Sequence, residues 1–168
     1  PTASSNDGFI AKFNSDGVPQ WAKPIGGSNN ELGYGVALDG SGNIYLTGYT
    51  QSNVTFYPDG SNSIGTTNLN PFALTADIFV AKYSVDGVLA WARIAGGNGT
   101  DIGNGIAVDA SGNVYVGGQF TGSATFSSPN FSQTLTSAGA SDGFVARYSS
   151  RGDLTWAQRA GGTGSDVI

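Results

Sequence analysis

The chain has 168 residues, a net charge of −5 and a sequence pI near 4.3. That length is enough for one compact domain, and the acidic balance argues against a nucleic-acid binder, whose phosphates require basic patches. Zero cysteine rules out a disulfide framework and thiolate metal sites, and zero histidine removes the commonest general base and metal ligand.

The first element is Asp7-Gly8-Phe9-Ile10-Ala11-Lys12-Phe13, whose apolar residues alternate with a period of two and predict a strand. Asp16-Gly17 supplies a turn, and Trp21-Ala22-Lys23 the return strand. Gly26-Gly27 and the acid Glu31 follow. Val36-Ala37-Leu38 is a short apolar run that ends at Asp39-Gly40-Ser41-Gly42-Asn43. In that pentapeptide Asp accepts bonds from backbone two residues on, and Gly supplies the positive φ of a tight turn. Ile44-Tyr45-Leu46 returns from it. A long Ser-, Thr-, Asn- and Pro-rich connection, Gln51 to Ala76, comes next, with a further short strand expected around Val54-Thr55-Phe56.

The pattern then repeats. Asp77-Ile78-Phe79-Val80-Ala81-Lys82-Tyr83 stands 70 residues after its first counterpart, and Asp142-Gly143-Phe144-Val145-Ala146-Arg147-Tyr148 65 residues further on. Trp91-Ala92-Arg93 and Trp156-Ala157-Gln158 repeat the tryptophan strand, Gly96-Gly97 and Gly161-Gly162 the glycine pair, and Asp101 and Asp166 the acid. Ile106-Ala107-Val108, the turn Asp109-Ala110-Ser111-Gly112-Asn113 and Val114-Tyr115-Val116 repeat the other hairpin. The second long connection, Thr121 to Ser141, holds Ala124-Thr125-Phe126. No window carries a helical pattern, and 27 glycines argue against long helices.

Each unit therefore has four strands: A (Gly-Ile-Ala-Val-Asp), B (Asn-Val-Tyr-Val-Gly), C (Asp-Gly-Phe-Val-Ala-Lys-Tyr) and D (Leu-Ala-Trp-Ala-Arg). A four-stranded antiparallel unit of this size predicts an all-β chain of propeller-type blades. The expected units are a C–D half-blade at 7–27, full blades at 33–97 and 103–162, and the start of a further repeat at 163–168. That is about two and a half blades, not closed within this chain, where closed propellers use four to eight. The expectation is completion by a longer parent chain, by head-to-tail assembly, or by both.

These residues resemble the bacterial β-propeller repeat called SBBP and, more distantly, NHL repeats. The resemblance lies in Gly-Ile-Ala-Val-Asp-x-Ser-Gly-Asn-Val-Tyr-Val, Phe-Val-Ala-Lys-Tyr-x-x-Asp-Gly and Trp-Ala-x-x-x-Gly-Gly, and covers most of residues 7–166 outside the B-to-C loops. It implies a propeller with strand A nearest the axis, a secreted or cell-surface setting, and no catalytic residues.

Candidate chemistry is thin. The acids at Asp7, Asp77 and Asp142 are repeat equivalents, as are Glu31, Asp101 and Asp166, whereas a catalytic pair is usually unique. No cofactor is expected. The weak metal candidates are calcium sites at Asp39 and Asn43 and at Asp109 and Asn113, where oxygen ligands alternate, weighed against a plain hairpin turn. Trp21, Trp91 and Trp156 read as packing residues. Tyr34, Tyr45, Tyr49, Tyr57 and Phe56 cluster near one loop. Arg151-Gly152-Asp153 spells an integrin-binding tripeptide but occupies a repeated turn slot. Asn53, Asn98 and Asn130 head glycosylation sequons. The reading is a non-catalytic extracellular structural or interaction module, a segment or subunit of a larger surface assembly or filament. Its partners are other copies of itself or further blades of a longer parent chain. The alternative is a glycan- or protein-binding propeller with specificity in the 51–76 and 121–141 loops.

Overall fold

The computed structural model describes residues 6–56 and 75–168; most of the 51–76 connection, with Tyr57, lies outside them. The described residues contain no helix. β1 (Gly8–Phe13) and β2 (Pro19–Gly26) form an antiparallel hairpin across the Asp16-Gly17 turn. β3 (Glu31–Leu38) and β4 (Ile44–Thr50) form the next, across the Asp39–Asn43 turn. β5 (Thr55–Phe56) is the short strand expected in the first long connection. β6 (Asp77–Tyr83) and β7 (Leu89–Gly97) repeat the first hairpin, and β8 (Ile102–Val108) and β9 (Val114–Phe120) the second. β10 (Ser123–Ser128) and β11 (Phe131–Thr136) form a hairpin inside the second long connection. β12 (Asp142–Tyr148) and β13 (Leu154–Ala160) close the series.

The repeat is reproduced in the pairing. β3-β4-β6-β7 and β8-β9-β12-β13 both run in the order A-B-C-D, all antiparallel. Asp77 faces Thr50 and Tyr83 faces Ile44, while Asp142 faces Phe120 and Tyr148 faces Val114. The same register shift falls at Lys12/Phe13, Lys82/Tyr83 and Arg147/Tyr148. Equal side-chain patterns select equal registers, because a one-residue slip would turn every apolar residue outward. The chain is all-β with repeated antiparallel four-stranded units, as the sequence predicts, and among the described residues β1 keeps an unpaired edge.

One feature of the sheets differs from a plain four-strand unit. The middle sheet has six strands, because β10 pairs with β7 of the preceding unit: Ala124 with Gly97, Thr125 with Gly96, Phe126 with Ala95. β5 does the same to β2, placing Thr55 against Gly26 and Phe56 against Ile25. Each B-to-C connection therefore reaches back and covers the outer edge of the D strand before it. An open edge leaves unpaired backbone donors and acceptors, and this latch satisfies them.

The apolar cores lie between sheets. Ile10 and Ile25 of the first hairpin pack with Ile44, Leu46, Phe56, Phe79 and Tyr83. Tyr45, Val80, Trp91 and Ala95 on the other face of the middle sheet pack with Val114, Phe126, Phe144 and Tyr148. The latch phenylalanines sit in these junctions. Phe56 meets Phe79 with ring centroids 5.5 Å apart, and Phe126 meets Phe144 at 4.9 Å. So a latch pairs its backbone with one unit and buries its side chain on the next.

Candidate interaction site

Trp21 and Trp91 pack between units, while Trp156 packs on Tyr115 of its own unit. The Trp21 indole N–H donates to the Val85 carbonyl at 3.4 Å, and Lys12 Nζ donates to the same oxygen at 2.9 Å. One unit later, Trp91 donates to the Ser150 carbonyl at 3.1 Å, joined by Lys82 at 3.4 Å. The accepting carbonyls lie in the C–D turns, whose glycines Gly87 and Gly152 have φ of 78° and 79°. A Cβ on either would meet the indole ring, at 3.0 Å for Gly87 and 2.6 Å for Gly152. Glycine is needed there twice over, for the positive φ and for the close approach of the ring. Trp91 also stacks on Tyr148, with centroids 6.4 Å apart and planes at 29°. Arg93 Nε adds a bond to the Gly152 carbonyl at 2.8 Å.

This joint explains the Arg151-Gly152-Asp153 tripeptide. Gly152 is buried beneath Trp91, and Asp153 accepts from Ser149 Oγ at 3.4 Å. The tripeptide is the turn of the joint.

The repeated acids gather at the glycine pairs. Asp77 and Asp101 are fully buried, and the Gly97 N–H lies 3.2 Å from Asp77 Oδ1 and 2.9 Å from Asp101 Oδ2. Thr121 N donates to Asp101 Oδ1 at 3.2 Å. Burial pushes the Asp101 carboxyl up to about 6, against the lowering effect of these two amide bonds. At the first junction Glu31 Oε1 accepts from Thr50 and Ser52 hydroxyls at 3.0 and 2.8 Å, and burial raises its pKa too. At the last, Gly162 N donates to Asp166 Oδ2 at 2.8 Å, and Asp142 pairs with Arg159 at 2.7 Å. The backbone bond that opens each following unit recurs as well: Glu31 N to Asn6 O, Asp101 N to Ala76 O, Asp166 N to Ser141 O. The acids thus tie the end of one unit to the start of the next.

Asp39 and Asp109 bond within their own hairpins. Asp39 Oδ1 accepts from Ser41 N at 2.9 Å and Asn43 N at 3.0 Å; Oδ2 accepts from Asn43 Nδ2 at 2.8 Å and Tyr45 OH at 2.9 Å. Asp109 makes the same four bonds to Ser111, Asn113 and Tyr115. Gly42 and Gly112 both take φ of 78°. Burial opposes ionisation of Asp39, but the donors around it hold its carboxyl below the usual range. For Asp109, Asn113 leads the donors that do the same. Both oxygens of each carboxylate thus face N–H and O–H donors, and the Asn43 and Asn113 amides turn their nitrogens toward them. The set fits a turn; a calcium ion would need these oxygens freed.

The other aromatic and loop candidates divide. Tyr45 and Phe56 are buried in the two junction cores, whereas Tyr34 and Tyr49 pair near the surface at 5.8 Å. Tyr57 lies outside the described residues. The 121–141 loop is the latch hairpin, with Ala124, Phe126 and Leu135 turned into the core. Asn53, Asn98 and Asn130 are all exposed.

What stands open is the first unit. Among the described residues β1 has no neighbour on its outer side, and beside it lies a groove lined by Ile10, Phe13, Trp21, Val36, Leu38 and Val85. Val36 and Leu38 are 65% and 64% exposed. Their equivalents at the next junction, Ile106 and Val108, are packed against the core. The difference is the presence of an A–B hairpin in the middle unit and its absence beside β1. Sequence spacing exposed the missing strands but not this groove, because the covering of Val36 depends on a neighbouring sheet.

Comparison with known proteins agrees with this geometry. The β-propeller repeat SBBP matches residues 20–54 and 90–119. The chain is 29% identical over 163 residues to an uncharacterized WD repeat-containing protein, L264, of Acanthamoeba polyphaga mimivirus, an alignment covering 86% of this chain and 12% of that protein. It is 30% identical over 118 residues to the regulatory protein FlaEY of Caulobacter vibrioides, covering 70% of this chain and 12% of that one. The chain thus spans about an eighth of the length of these curated relatives. Its repeated antiparallel sheets and the two matched stretches show repeats of the β-propeller SBBP kind within this chain.

Proposed function

We propose that this chain is a non-catalytic structural and interaction module, one section of a larger β-propeller-repeat assembly at the cell surface. The observation that carries the reading is the unfilled groove beside the open β1 edge. An A–B strand pair from a propeller repeat has the shape and hydrogen-bonding edge to fill it, as β3–β4 and β8–β9 do in their own units. Burying Val36 and Leu38 there would contribute about 3 kcal/mol or more. In the same reading, residues 7–27 are a half-blade, 33–97 and 103–162 are full blades, and 163–168 open a further one. Support for a non-catalytic role is that the repeated acids, Trp21 and Trp91 are engaged in joining units. The low charge and the Ser-, Thr- and Asn-rich surface support an extracellular setting, which immunodetection in surface and cytosolic fractions of the native cells tests.

The direct test completes the half-blade. Residues 1–6 are replaced with a second copy of residues 101–141, which places strands A and B ahead of Asp7. The thermal midpoint should rise by several degrees, and the amides of Gly8–Phe13 should become protected from hydrogen exchange. An unchanged midpoint with unprotected β1 amides would sink the proposal.

A further inference from the structure

We propose that successive units recognise one another by a steric key at the junction. Bulk on the earlier sheet meets glycine on the A strand that follows, or glycine on the earlier sheet meets bulk. The key selects which unit can dock on which face. The inference goes beyond the reading of the chain as an assembling module and does not rest on the open β1 edge.

Two junctions can be compared position by position. Each following unit opens with the same backbone bond to the unit before it: Asp101 N to Ala76 O at 2.7 Å, and Asp166 N to Ser141 O at 2.8 Å. The residue two places after that acid is therefore held at one register. It is Gly103 in one junction and Ile168 in the other. It faces one position on strand B and one on strand C of the earlier sheet. In the middle sheet these are Thr47 and Ile78, both fully buried. In the last sheet the equivalent positions are Gly117 and Gly143.

The bulk has changed sides between the two. A Cβ on Gly103 would run into Thr47 Oγ1 and lie 3.3 Å from Ile78 Cγ2. Thr47 is fixed in place, because its hydroxyl donates to the Phe79 carbonyl at 2.9 Å. At the other junction the Ile168 side chain fills the space that side chains on the sheet would need. A Cβ on Gly117 would lie 3.3 Å from Ile168 Cγ2, and one on Gly143 would lie 2.7 Å from its Cγ1 and 3.0 Å from its Cδ1. Gly103, Gly117 and Gly143 are not among the glycines with positive φ. Space, and not backbone conformation, calls for glycine at all three.

The sheets are otherwise near-copies, with the same strand order and the same turns. Near-identical neighbours in one chain invite docking in the wrong order, a characteristic failure of repeat proteins. The key opposes it in both directions. A branched side chain in the place of Gly103 would collide with Thr47 and Ile78, and a glycine in the place of Ile168 would leave a gap above Gly117 and Gly143. Discrimination of this kind comes from what the wrong partner meets. The last sheet thus fits an A strand with a branched aliphatic residue two places after its acid, and the middle sheet fits one with glycine there.

The test uses the full chain. Hydrogen exchange of the Asp166 amide reports whether the bond to Ser141 is closed, and circular dichroism checks that each variant keeps its sheets. Gly143→Ala should lower protection of that amide by about tenfold or more, because the new methyl takes the space of Ile168. Ile168→Gly should lower it too, by emptying the contact. Adding Gly143→Ala to Ile168→Gly should then cost nothing further, whereas unrelated effects would multiply. The middle junction is read by thermal midpoint. Gly103→Ala should lower it by several degrees in the wild type and leave it unchanged in a chain that carries Thr47→Ala, where the colliding hydroxyl is gone. A wild-type Asp166 amide that exchanges freely, protection indifferent to Gly143→Ala, or losses that multiply in the double variant would each overturn the inference. So would an equal fall for Gly103→Ala with and without Thr47→Ala. None of these substitutions touches β1, so the outcome is independent of the half-blade completion.

Discussion

At the scale of single residues, the recurring polar groups hold tight turns and junctions, and their energetics can be tested separately. Asp39 gathers four donors within its own hairpin. Asp39→Ala should lower stability by about 1 kcal/mol, or roughly 2–4 °C in thermal midpoint for a chain of this size. A chelator should leave the wild-type midpoint unchanged; a drop on chelation, reversed by calcium, would mean that the turn holds an ion. Asp101 behaves differently because it is buried. Burial raises its carboxyl to about 6, well above the usual carboxylate range, so the folded state binds a proton more tightly than the unfolded one. Its contribution is therefore greatest below pH 4 and is lost as pH rises through about 6. The lost stability is on the order of 2–3 kcal/mol. Midpoints measured from pH 4 to 7 should fall more steeply for the wild type than for Asp101→Asn, and parallel profiles would show that Asp101 does not titrate in this way.

At the scale of elements, the latch strands decide how firmly successive units are joined. β10 spans two units: its backbone lies on β7 and its Phe126 ring on Phe144. Phe126→Ala should cost about 3–5 kcal/mol, the usual range for emptying a buried aromatic site. Hydrogen exchange should rise in β7 as well as in β10 and β11, because the same strand covers the β7 edge. Exchange confined to β10 and β11 would show that β7 does not depend on the latch. The short strands at Val54-Thr55-Phe56 and Ala124-Thr125-Phe126 were legible from their β-forming residues. Their partners were not. A strand segment carries its own propensity in sequence, whereas the edge it pairs with is chosen by which backbone is left open in three dimensions.

At the scale of the whole molecule, the cores between sheets make the chain a stack of coupled units, so stability should depend on nearest-neighbour junctions. Trp21 and Trp91 report on the first and second junctions. In the wild type, denaturant titration should give one transition shared by the first hairpin and the last unit. Loosening the second junction with Phe126→Ala should separate them into two, followed by hydrogen exchange of β1–β2 against β12–β13; a single shared transition in the variant would show that the latch does not couple them.

The sequence by itself determined the four-strand unit, its antiparallel hairpins, and the turn chemistry of Asp39 and Asp109. Those features are local: a period of two, a positive-φ glycine and an Asp two residues from an amide are set by neighbours in the chain. Only the tertiary structure decided that Trp21 and Trp91 close on the turn of the following unit, that the acids converge on glycine pairs, and that the long connections reach backward. It also decided which surfaces remain open, since Val36 is exposed and Ile106 is packed although both occupy the same strand position. Their burial depends on whether a neighbouring A–B hairpin is present, a property of the assembled sheets that no local pattern contains.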